Sequence, residues 1–162
     1  MTPLWDWALA AYAAPGARDA LLGLQDNRGQ CICLLLWAAW RAGGGDAPAP
    51  NALTDAVALA RRWEHDVTGP LRAARRGLKG PLAGVSDEGR EAIRTRIKAD
   101  ELDAERLLIE ALEKMAPGCP APGSNRLPLA PALAAAAAAW GPAPPKAELD
   151  ALARIFEGLD IC

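Results

Sequence analysis

The chain has one histidine, one tyrosine and one phenylalanine in 162 residues, and valine and isoleucine are few. A sheet has little to build from, whereas alanine and leucine, both strong helix formers, dominate. The lone histidine, His65, leaves Ser-His-Asp and Cys-His schemes a single possible base, and no Gly-x-Ser-x-Gly setting accompanies it. It lies in Trp-Glu-His-Asp-Val, where flanking acids favour its protonated form, and a solvated helical histidine is expected. A P-loop, a Rossmann glycine pattern, a zinc-ligand pair and an EF-hand loop are all missing, so no catalytic residue, metal or cofactor is expected.

Charge of one sign is lacking too. The net charge of −2 argues against bulk attraction to nucleic acid or to a membrane surface. No strongly apolar run reaches the roughly 20 residues of a membrane span. Leu129 to Trp140 comes nearest, but it is mostly alanine and proline interrupts it. The opening MTPLWDWALA carries Asp6 and no basic segment, so it does not read as a signal peptide. The four cysteines have no framework spacing, which points to a reducing cytoplasm rather than to disulfides. Cys31 and Cys33 would diverge by about 200° around a helix and read as buried thiols acting as small hydrophobes. Cys119, in a proline-rich loop, and Cys162 read as exposed free thiols.

What the chain does have is a run of ten apolar residues, Cys31 to Trp40. A segment apolar on every face must be enclosed by other elements, so it reads as a central core helix. Around it the pattern predicts an all-α, single-domain, orthogonally packed bundle of six or seven helices over residues 1–162, at a length that suits one domain. Thr2 is expected to cap a first helix reaching about Ala14, and Gln25 to Gly29 to form a turn in which Asp26 or Asn27 caps the central helix. Gly43-Gly44-Gly45 stops that helix, Asp46 to Asn51 is a loop, and Thr54 caps the next helix. Gly69-Pro70 interrupts, and a new helix or a kinked continuation carries Leu71 to Lys79. Ser86-Asp87-Glu88 opens the longest helix, which runs to about Met115 with Ile93, Ile97, Leu108 and Leu112 on one side. It is basic first and acidic later, against the macrodipole preference, so tertiary partners are expected to support it. Residues 116–162 are Ala- and Pro-rich, with helices ending at Trp140 and running from Lys146 to Leu159.

The strongest positional signal is Arg72, Arg75, Arg76 and Lys79, spaced to share one helix face. From Arg61 to Pro81 six basic residues outweigh two acidic ones. Arginine's planar fork suits carboxylate or phosphate. Three readings stand: pairing with Asp100, Glu101, Asp103 or Glu105 of the long helix; a clamp on a small anionic ligand with Gln25, Asp26 or Glu101 as polar partners; or a surface for another macromolecule. The aromatics Trp5, Trp7, Tyr12, Trp37, Trp40 and Trp63 read as core, each indole N–H with a partner, and Trp7 and Trp40 as edges of a partner groove. Glu101 with Glu105, or Asp100 with Asp103, reads as a solvated acidic face rather than a cation site.

Several of these pieces together resemble a family of short proteobacterial proteins grouped as a domain of unknown function. The resemblance rests on Leu4-Trp5-Asp6-Trp7-Ala8 through Tyr12, Leu24-Gln25-Asp26 with Gly29, Leu34-Leu35-Leu36-Trp37 through Trp40, Pro70-Leu71-Arg72 with Ala74-Arg75-Arg76 and Lys79, and Ile97-Lys98 through Glu101-Leu102 and Ala104-Glu105. It spans residues 4–115. This chain departs from it at Gln30 to Cys33, where an acid, Val and Asn are expected, so a site using that Asn is altered here. The resemblance implies a bacterial, cytoplasmic, helical protein and no particular activity. The leading functional expectation is a non-enzymatic interaction or regulatory protein with another protein as partner; the alternative is a binder of, or enzyme on, a small anionic or phosphorylated ligand. Fold alone decides neither.

Overall fold

The computed structural model describes residues 2–45, 50–115 and 127–159. Among them are only helices: α1 (Leu4–Ala13), α2 (Ala17–Arg28), α3 (Ile32–Gly43), α4 (Pro50–Trp63), a π-helical segment (Glu64–Thr68), α5 (Gly69–Gly77), α6 (Asp87–Lys114), α7 (Leu129–Trp140) and α8 (Lys146–Glu157). Because α4, the π segment and α5 run on without a break, the described chain forms seven helical rods.

The apolar run becomes α3, and all twelve of its residues are buried. All six other rods pack on α3, the one that runs from α4 to α5 doing so through α4. One contiguous core unites Leu4 and Trp7, Leu21 and Leu24, Leu34 to Trp37, Ala56 and Ala60, Leu108 and Leu112, Leu133, and Leu152 and Phe156. Each such leucine stabilises by about 1.5–3 kcal/mol on burial. The Trp7 ring meets Phe156 edge-on at a centroid distance of 5.4 Å.

Three expected caps are not made. Pro3 rather than Thr2 takes the N-cap position of α1, and the Thr2 carbonyl instead accepts from the Trp40 indole at 3.0 Å. Asp26 and Asn27 lie inside α2, which ends at Gly29 with φ +65°; Cys31 is the N-cap of α3, without a side-chain bond. Thr54 lies within α4, its hydroxyl donating back to the Pro50 carbonyl at 2.9 Å. The glycine stop after α3 and the Ser86 cap of α6, whose hydroxyl accepts from Gly89 N at 3.1 Å, agree with the sequence. Cys119, Cys162 and most of the two loops at 46–51 and 116–128 lie outside the described residues.

Gly69-Pro70 does not break the rod. Proline has no N–H, and in an α-helix its ring crowds the carbonyl four residues earlier. The wider π turn passes this position: Gly69 N–H bonds the Glu64 carbonyl, five residues back. The turn requires glycine there, since a Cβ on Gly69 would lie 2.5 Å from that oxygen. Such π turns occur often at functional sites. α6 packs on α5 as well as on α3 and α1, and Ile93, expected inward, is 44% exposed.

Candidate functional site

The site begins at the elbow between α2 and α3. Gly29 in the left-handed region lets Gly29 N–H reach Gln25 O and Gln30 N–H reach Leu24 O, which closes α2 and turns the chain. The elbow is fastened to the α7–α8 connection by two bonds: Trp140 Nε1 to Gly29 O at 2.8 Å and Gln30 Nε2 to Pro142 O at 3.0 Å. Only the amide nitrogen can donate to that carbonyl, so the orientation of Gln30 is set and its Oε1 faces elsewhere. The side chain is 3% exposed, and Oε1 has no protein partner.

Gln30 lines a cavity of about 300 Å³. Gln25 and Asp26 reach it from α2, Cys31 and Cys33 from the start of α3, Glu64 and Thr68 from the π segment, Arg72 and Arg76 from α5, and Glu105 from α6. On its far side the ion pairs are dense. Arg72 donates to Glu64 Oε1 at 2.7 Å and to Glu101 Oε1 at 3.1 Å, and lies 3.6 Å from Glu105. Arg75 donates to Glu101 Oε2 at 2.5 Å, and Thr68 to Glu64 Oε2 at 2.5 Å. Glu101 thus binds two arginines from a buried position on α6, so it is not part of a solvated acidic face; Asp100 and Asp103 are exposed.

Burial opposes the charge on Arg72, but Glu64, Glu101 and Glu105 together outweigh it and hold its pKa above the ordinary value. Glu105 is raised, first by burial and then by Glu101 and Glu64, with Arg72 pulling the other way. Burial, then Glu105, pushes Tyr12 to about 12. Burial pushes the Cys31 thiol to about 12 and Cys33 well above its ordinary value. Both are free thiols in protonated form, unsuited to nucleophilic attack. His65 is exposed, 2.8 Å from Asp66, and takes no part in the cavity.

The four cations expected on one face therefore divide. Arg72 and Arg75 turn inward onto carboxylates, Arg76 bridges to Asp26 of α2 at 3.0 Å, and Lys79 is exposed. Arg76 and Asp26 both line a second, outer pocket of about 250 Å³, with Arg75, Lys79 and Arg94. Trp7 and Trp40, expected at the edge of a partner groove, are 1% and 2% exposed and belong to the core. A mostly apolar groove of about 270 Å³ lies instead between α1 and α6, with Trp5, Leu9, Tyr12 and Leu102 on it. Indole partners are found for Trp40, Trp63 and Trp140, whereas the nitrogens of Trp7 and Trp37 have none, contrary to expectation.

Gln30, Thr68, Glu64 and Arg94 went unnoticed as site residues. A polar residue opening an otherwise apolar run was a usable signal for Gln30; nothing local marks the others. Among the described residues no cluster of His, Cys, Asp and Glu could hold a metal ion, and no helix is long and apolar enough to cross a membrane.

No curated protein and no solved structure matches the chain. A family model described as "Protein of unknown function (DUF2390)" matches residues 3–112, the span over which the sequence resembled a domain of unknown function, and the chain belongs to that family.

Proposed function

We propose that this chain is a cytoplasmic binding module that holds a small polar molecule in the cavity at the α2–α3 elbow. The observation that carries the reading is Gln30 Oε1, a buried acceptor without a protein partner on a residue that lines the cavity. Leaving such a group unpaired costs about 1–3 kcal/mol, which a ligand N–H or O–H would offset. The cavity favours donors further: the Glu105 carboxyl accepts no close hydrogen bond, its nearest cation being 3.6 Å away. The anion clamp expected of Arg72 and Arg75 loses support, since both are already committed to Glu101.

A thermal-shift screen of the purified chain against amines, amino acids, amides and polyols tests the reading. A ligand at 100 times its Kd stabilises by about 2.7 kcal/mol. The hit should vanish in Gln30→Met, whose unliganded form should stay within about 1 kcal/mol of wild type, because removing the unpaired oxygen offsets the lost bond to Pro142 O. A blank screen together with a destabilised Gln30→Met would make Gln30 a purely structural residue.

Docking of another protein is the second reading, favoured by Leu9 and Leu102, 49% and 52% exposed, on the α1–α6 groove. Capture of a partner by wild type but not by Leu9→Asp/Leu102→Asp would support it.

A further inference from the structure

The outer pocket has a composition the inner cavity lacks. Arg75, Arg76 and Lys79 reach it from α5 and the turn after it, Arg94 from α6, and Asp26 is its single acid. Four cations and one carboxylate line about 250 Å³, with Glu101 offsetting Arg75 and Glu91 beside Arg94 from outside the pocket. The chain as a whole carries a net charge of only −2.

The donors there are not used up by the fold. Among the described residues Lys79 forms no ion pair, and it is exposed at the end of this turn. Arg94 meets Glu91 only at 3.5 Å, and its Nε is buried without a partner. Arg76 gives Asp26 one nitrogen, Nη2. Arg75 spends Nε and Nη2 on Glu101 and keeps Nη1. A buried guanidinium N–H without an acceptor is costly, and more so beside like charges.

We propose that this pocket binds the terminal phosphate of a small phosphorylated molecule, with Lys79 and Arg94 as its principal ligands and Arg76 and Arg75 completing the set. The site adjoins the Gln30 cavity, with which it shares Asp26 and Arg76, but makes no use of Gln30. A phosphate dianion, with three outward oxygens, can accept from several of the four cationic side chains that line the pocket, where a monocarboxylate offers only two oxygens. The pocket is too small for a nucleic-acid track, which needs phosphate contacts repeated along a strand.

Calorimetric titration of the full chain with inorganic phosphate and with glycerol phosphate, at fixed ionic strength, tests this, with malonate as the dicarboxylate comparison. Saturable phosphate binding is expected, at least tenfold tighter than malonate. Lys79→Ala and Arg94→Gln should each weaken it about tenfold or more, and Lys79→Ala, which breaks no ion pair, should leave the unliganded Tm unchanged. Tighter binding of glycerol phosphate than of inorganic phosphate identifies an ester as the ligand; equal binding identifies the free ion. No saturable phosphate binding, malonate binding as well as phosphate, or undiminished binding in both variants would overturn the proposal. Gln30→Met should titrate like wild type, so a failure of the inner-cavity reading shows separately.

Discussion

Replacing Gly69 by alanine should destabilise this protein, although in most helices the same change stabilises. Within an ordinary helix Gly→Ala gains about 1 kcal/mol. Here the new Cβ would lie 2.5 Å from the Glu64 carbonyl oxygen, roughly an ångström inside the distance at which carbon meets such an oxygen. The neighbour is backbone, so no rotamer change relieves the contact. Moving the carbonyl away stretches the Gly69 N–H bond to Glu64 O that defines the π turn, and tightening the turn to α brings the Pro70 ring against the backbone. Overpacking costs about 1–3 kcal/mol, the strained hydrogen bond adds about 1, and propensity returns about 1, for a net loss of about 1–3 kcal/mol.

Urea denaturation followed by far-UV circular dichroism measures this as a lower midpoint at unchanged m. On heating, the loss corresponds to about 2–4 °C per kcal/mol for a chain of this size. Gly77→Ala is the control: it closes the same rod, nothing lies within 4 Å of its Cβ, and it should be neutral or stabilising by up to about 1 kcal/mol. A Gly69→Ala protein as stable as wild type would refute the π turn and, with it, the placement of Glu64 against Arg72.

Glu101→Leu strands Arg72 and Arg75 and should cost about 3 kcal/mol, the lower end for breaking a buried pair because Arg72 keeps Glu64; a loss under about 1 kcal/mol by urea melting would show the network to be solvated. Glu105 has its folded pKa raised above the ordinary 4.5, so the folded state holds its proton longer than the unfolded one. Its contribution is complete below about pH 4.5 and declines as pH rises through the folded value. Glu105→Gln should therefore gain on wild type between pH 4.5 and 7.5 in urea midpoints, and a constant difference would contradict the shift. Cys31, pushed to about 12, and Cys33 should resist iodoacetamide at pH 8 in the native protein and react once it is unfolded. Peptide mapping by mass spectrometry reads each site separately, and native labelling at either would count against their burial.

How much of this was legible depended on whether the signal was local. Cys31 to Trp40 announced a core helix because nothing polar interrupts it, and Ser86 announced a helix start because a serine before Asp87 and Glu88 answers a purely local need for donors to be met. Asp26 and Asn27 misled for the same local reason: both are good caps, and only Gly29 at φ +65° shows that the preceding helix runs through them. Trp40 could not be sorted into core or rim, because a helix at the centre of a bundle buries every face, nor could Trp7, because on α1 only Asp6 interrupts two apolar faces. The arginine face was visible, and so was the chance that it met Glu101 and Glu105. That Arg72 and Arg75 turn inward while Lys79 stays out is set by the way α5 lies on α6, which no spacing along the chain encodes. Gln30 illustrates the opposite limit: its position at the head of the apolar run was plain, but its unpaired oxygen depends on Pro142, 112 residues away.

The cleft that these residues line is asymmetric in what holds it together. Its α3 wall is anchored by apolar burial on all sides, and energy of that kind is neither directional nor open to exchange for a polar ligand. α5, the opposite wall, has no buried residue at all. It is held to α6 by Arg72 and Arg75 on Glu101, and by Arg90 donating to the Leu78 carbonyl just beyond its end. To α2 it is joined by the exposed Arg76–Asp26 pair, and exposed pairs are worth under about 1 kcal/mol. A phosphate that draws Arg76 toward Lys79 and Arg94 competes with Asp26 alone for that link, while the Glu101 pairs keep α5 in place on α6. The element nearest the proposed ligands is thus the one whose contact with α2 costs least to break, which is where a cleft between rigid rods must give if anything is to enter it.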